Sequence, residues 1–109
     1  MDDLITSIQY KQSQLNQSVK MLRKSGEERA RAERDYKVAL RTEALKLRAD
    51  GMPIGMIDKV VYGIPEVAEL RMKRDIAETV YQANLEAINS VKLEIRILND
   101  QIEREWHSG

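Results

Sequence analysis

From Glu66 to about His107 the chain has neither proline nor glycine, and a sevenfold rhythm runs the length of that stretch. One series reads Val67, Arg74, Tyr81, Ile88, Ile95, Ile102; the interleaved series reads Leu70, Ala77, Asn84, Val91, Leu98, Glu105. Positions spaced alternately by three and four residues share one face of an α-helix, so together they make a mostly apolar seam of the kind that packs helix on helix. No alternating run bounded by turn signals competes for a strand. The stretch predicts a long helix with one face pressed against another.

The N-terminal part supplies a partner. Between about residue 3 and residue 50 there is no proline and a single glycine, Gly26, and good helix formers are abundant. Its seam is weaker. Ile5, Val19, Leu40 and Leu47 share one register, Ile8, Leu15, Leu22 and Tyr36 share the other, and Gly26, Arg29 and Glu33 fall at core-type positions. That polar stretch predicts a loosely packed, partly solvated middle. Asp50-Gly51 followed by Pro53 is a helix stop, glycine just past the end and proline shortly after. Ile54 to Tyr62 then suits a short helix with Ile57, Val60 and Val61 on its apolar side, closed by Gly63. Pro65 fits a first helical turn, where its missing N–H costs nothing. Glu66 and Glu69 suit the positive end of the helix dipole.

The reading is all-α: a single helical domain over 1–109, helix one about 3–50, a connector with a short helix over 51–65, and helix two about 66–107. The two long helices form an antiparallel coiled-coil hairpin. Folding back near residue 57 sets Tyr36 level with Ala77 to Tyr81, Leu15 and Val19 level with Ile95 and Leu98, and the polar middle near Asn84 and Ile88. Charge agrees, since residues 20–48 carry ten Lys/Arg against five Asp/Glu, and residues 66–90 carry three against five. Helix two has apolar residues to spare. Ile76, Val80, Ala83 and Ala87 form a second stripe, widened by Leu93 and Ile97. One hairpin cannot cover both stripes, so these residues are assigned to oligomerisation, as a homodimer forming a four-helix bundle.

Composition narrows the function. Zero cysteine excludes a disulfide framework and thiolate chemistry. The one histidine is His107, and the residue three before it is Arg104, so the Glu-x-x-His ligand pairs of metal-binding bundles are absent. No glycine-rich phosphate loop occurs. No catalytic residue, cofactor or metal ligand is therefore assigned, and neither an enzyme nor a small-molecule substrate is expected. Trp106 is read as packing at the bundle end or anchoring a partner. The opening Met-Asp-Asp-Leu-Ile-Thr-Ser lacks the pattern of a signal peptide. No apolar run approaches the roughly 20 residues of a membrane span, so the expectation is a cytoplasmic protein without membrane contact.

Two surfaces invite a partner. Met52, Met56, Tyr62 and Ile64 put adaptable apolar side chains near the tip of the hairpin, suited to a protein's groove. Lys20, Lys24, Arg31, Arg34, Arg41 and Arg48 recur along helix one as a basic stripe, suited to an acidic partner or to nucleic acid. Glu27, Glu28 and Asp35 interrupt it, and no aromatic is interleaved for base stacking, so nucleic-acid affinity is expected to be weak.

The connector resembles a helix-turn-helix in its Gly51, Ile57 and Gly63. It departs from that pattern in Asp58, where a small residue is usual, and in a glycine spacing one residue longer than the common form. Glu66, Val67 and Glu69 stand where bases would be read, and phosphates repel acids there. A hydrophobic cap over the hairpin's end is the favoured reading and a DNA-reading head the other. Phrases such as Glu-Val-Ala-Glu-Leu-Arg-Met-Lys-Arg-Asp and Gln-Ile-Glu-Arg-Glu-Trp resemble small helical accessory proteins of bacteriophages and prophages. That resemblance implies an interaction module that modulates a host or phage DNA-processing or defence protein, in the host cytoplasm. It carries no functional residue over. A nucleic-acid binder and an assembly scaffold or chaperone are the alternatives.

Overall fold

A computed structural model describes residues 2–108. The order is α1 (Asp2–Ala49), α2 (Ile54–Val60), a single 3₁₀ turn (Val61–Gly63) and α3 (Pro65–Ser108), with no strand among the described residues. The all-α hairpin expected from the sevenfold pattern is the fold. Its residues group into two compact units. One, the connector unit, is continuous over residues 26–80; the other, the terminal unit, is built from 2–25 together with 81–108.

The stop at residue 50 follows the reading closely. Gly51 sits at φ +92°, a conformation that costs an L side chain and suits glycine. Its N–H donates to Arg48 O (3.0 Å), and the Met52 N–H donates to Leu47 O (3.1 Å). These two bonds are the paired closure of a Schellman C-cap. Arg48 Nη1 adds a bond to Met52 O (3.4 Å). At the other side of the connector Ile64 is the cap residue, its carbonyl accepting from Ala68 N (2.9 Å), and Pro65 opens α3.

Within the connector unit Ile57, Val61 and Val67 are buried, Val67 with 0% exposure. Tyr36 and Ala39 are the buried residues contributed by α1. Glu33 faces Arg74 at 3.8 Å, Arg29 pairs with Glu78, and the Arg74 guanidinium lies over the Tyr36 ring, 4.4 Å from its centroid. Rising numbers on α1 thus meet falling numbers on α3, which defines the antiparallel sense.

Within the terminal unit Ile88 and Val91 are buried, Lys11 pairs with Glu94, and Asn84 Nδ2 donates to Ser25 Oγ at 3.0 Å. Ser25 is only 4% exposed, and its hydroxyl donates in turn to Leu22 O at 3.0 Å. A partly buried polar pair inside an apolar seam is stable only when both members are satisfied, and these two are bonded to each other. Asn84→Ala is expected to lower the unfolding free energy by about 1 kcal/mol, read from urea denaturation.

Two expectations need correction. Ile5 and Val19 are exposed; the inner line of α1 at those levels is Leu4, Lys11, Ser18 and Ser25, one residue away. The pairing is also shifted. Tyr36 meets Arg74 rather than Ala77 to Tyr81, and Lys11 meets Glu94, so the residues opposite Leu15 and Val19 precede Ile95 and Leu98. The reason is an unequal turn. Glu43 lines a groove with Glu66 at the start of α3, so the last turn and a half of α1 runs on beyond the level at which α3 begins. On α3 the predicted seam holds from Val67 to Ile102, and only Glu105 is exposed.

Candidate functional site

The connector is the part of the molecule with a finished interior and apolar side chains left over. Ile57 and Val61 point inward, while Ile54 is 65% exposed and Met56 and Tyr62 are also exposed. Of the four tip residues expected to meet a partner, Met56 and Tyr62 are open, and Met52 and Ile64 are half-buried. Both half-buried residues also serve the backbone, Met52 in the cap of α1 and Ile64 in that of α3. Ile54 escaped the sequence reading, because it stands three residues before buried Ile57, at the spacing of a residue on the same face.

From the tip an open groove follows the outer side of α3. Tyr62, Ala68, Met72, Ile76 and Val80 form its apolar floor, and Arg71, Asp75 and Thr79 its rim. The Arg71 guanidinium lies 5.4 Å from the Tyr62 ring centroid, within reach of a cation–π attraction. Such a contact holds the exposed ring in place without covering it.

A polar cleft of the connector unit, which shares Asp75 with that groove, is lined by Gly26, Arg29, Ala30, Glu33, Arg74, Asp75 and Glu78. This is the partly solvated middle read from the weak seam of helix one. Arg74 Nε and Nη2 both donate to Asp75 Oδ1, at 3.1 and 2.9 Å. Those bonds raise the Arg74 pKa above its already high ordinary value; burial opposes the shift, and the Asp75 and Glu33 charges reinforce it. The guanidinium therefore stays charged at any pH where the protein folds. The cleft is a set of ion pairs, and among the described residues no group of three or more His, Cys, Asp or Glu side chains converges as metal ligands do.

The chain matches no protein-family model, no curated protein and no solved structure.

The remaining candidate residues are all at the surface. Ile76 and Val80 are exposed in the connector unit, and Ala83, Ala87, Leu93 and Ile97 are exposed in the terminal unit. Arg31, Arg34, Arg41 and Arg48 of the connector unit are exposed, as are Lys20 and Lys24 of the terminal unit. Arg34 bonds its neighbour Asp35 at 3.0 Å, and Arg48 is engaged with the Met52 carbonyl. Trp106 is 75% exposed, so within one chain it does not pack at the end of the helix pair. No helix among the described residues is long and apolar enough to cross a membrane.

Proposed function

We propose that this chain is a non-enzymatic protein-interaction module whose tip seats in an apolar groove of another protein. One observation carries the reading: Ile54, Met56 and Tyr62 are exposed on a connector whose own interior, Ile57, Val61 and Val67, is already closed. Exposed apolar side chains that the fold does not use lose water only when a partner arrives. Methionine and tyrosine are also the side chains that protein interfaces favour. In the same reading the chain works as a homodimer joined through the exposed face of α3. The likeness to phage accessory proteins makes a bacterial DNA-processing or defence protein the partner to try first.

Capture from bacterial lysate tests the tip. Met56→Asp with Tyr62→Ala alters two exposed side chains, so helicity by circular dichroism is expected to hold while a specifically captured protein is lost. Arg31→Ala with Arg34→Ala is expected to retain it. Equal capture by both double variants would remove the tip from the site.

A second reading rests on the exposure of all six residues of the basic stripe on α1, Lys20, Lys24, Arg31, Arg34, Arg41 and Arg48. With Glu27, Glu28 and Asp35 interleaved, binding to a short DNA duplex is expected to stay in the non-specific range, roughly 10⁻⁴–10⁻⁶ M at physiological salt. Fluorescence anisotropy at two salt concentrations measures it. Sub-micromolar, steeply salt-dependent binding that disappears in the arginine double variant would transfer the function to nucleic acid.

A further inference from the structure

α3 is one uninterrupted helix, and its outer face is organised about a centre. Glu69, Ile76, Ala83, Ser90, Ile97 and Arg104 stand at sevenfold spacing on one line, and every one is exposed. Reading outward in both directions from the Glu86–Ala87 peptide, Ala83 is matched by Ser90, Val80 by Leu93, and Ile76 by Ile97. Beyond them Lys73 is matched by Asp100 and Glu69 by Arg104. The order is small, large, large, then opposite charge.

This inference rests on the dimeric reading above and gives it a geometry. We infer that the occupant of this face is a second copy of the chain, its α3 packed antiparallel about a two-fold axis at the Glu86–Ala87 peptide. A two-fold interface brings each residue to its mirror position on the other copy. The small side chains at the centre then let the two helices approach closely. Ile76 and Val80 of one copy interdigitate with Ile97 and Leu93 of the other, twice over. Each Glu69 meets an Arg104, and each Lys73 an Asp100. A parallel pair would set all four of those charges against their own kind, an arrangement that charge selects against.

The extent is sufficient. From Glu69 to Arg104 the helix runs roughly 50 Å, and at the ~12 Å width of a helix with its side chains the strip covers on the order of 600 Å² per copy. That lies at the lower end of specific interfaces. Glu86, exposed beside the axis, is matched by Ala87 of the other copy, and what repulsion remains between the two copies of Glu86 is screened by water and salt.

Because the chain has no cysteine, single-cysteine variants report the geometry directly. Ile76→Cys and Ile97→Cys replace exposed side chains. Mixed and oxidised together at micromolar concentration, they are expected to form a disulfide-linked heterodimer. Each alone should cross-link far less, since like cysteines would lie roughly 30 Å apart along the helix axis. A charge exchange gives the second arm. Glu69→Arg and Arg104→Glu should each weaken association about tenfold in sedimentation equilibrium, and the double variant should restore it. Cross-linking of Ile76→Cys with itself as readily as in the mixture would overturn the antiparallel geometry and leave a dimer. Failure of the double variant to recover would also overturn it. A wild type that sediments as a monomer and yields no cross-link would remove the dimeric reading itself, whatever the tip binds.

Discussion

Val67→Asp is expected to unfold the connector unit. Val67 has no exposed surface, so a carboxylate there must either lose its hydration or force the surrounding side chains apart, at a cost of several kcal/mol. Stability of small domains is commonly only about 5–15 kcal/mol in total. Thermal melts followed by circular dichroism should show either a non-cooperative transition or none near the wild-type temperature. Val38→Glu is the control. Val38 lies on the exposed side of α1 in the same unit, and its change should stay within about 0.5 kcal/mol. Equal melts for the two variants would mean that Val67 is not part of a core.

Ile57→Ala comes next in size. Removing a buried isoleucine side chain down to its Cβ costs about 2–4 kcal/mol, the transfer of the lost groups plus the cavity they leave. Lys59→Ala, two residues on and exposed, should change stability by less than about 0.5 kcal/mol. Urea denaturation of both variants tests the connector as a hydrophobic cap. If Ile57→Ala leaves stability untouched and instead destroys a binding activity, the connector is a reading head, and the resemblance to a helix-turn-helix gains substance.

How far the fold was legible differs between the two long helices, for a physical reason. On α3 the apolar residues themselves mark the seam, so counting by sevens finds Val67, Ile88 and Val91, all buried. On α1 the inner line passes through Lys11, Ser18 and Ser25, residues whose hydrophobicity gives no sign of facing inward. Ile5 and Val19, one step away, looked better and were outside. On the inner line Ser25 accepts a bond from Asn84, a contact with a residue fifty-nine positions along the chain. Periodicity along one segment cannot see such a contact. Asn84 was recognised at a seam position; its partner became visible only with the true pairing, which depends on how far α1 runs beyond the start of α3. At the tip the capping glycine and the inward Ile57 and Val61 were legible, because glycine conformation and short-range spacing are local properties. Ile54 was not, because its exposure depends on what the connector covers.

The division of the chain has a consequence for its synthesis. The connector unit, residues 26–80, is a single continuous segment, whereas the terminal unit needs residues from both ends. A chain made from its N-terminus therefore has everything required for the connector unit once residue 80 has emerged. Residues 2–25 must wait for 81–108 before their half of the pairing exists. A segment made before the connector unit thus finds its place after it, and until then Ile8, Leu15 and Leu22 have no partner. Between Asp3 and Lys20 that segment carries one charge, Lys11, so little repulsion guards it during the delay, and it stays open to the wrong neighbours after the connector unit has closed.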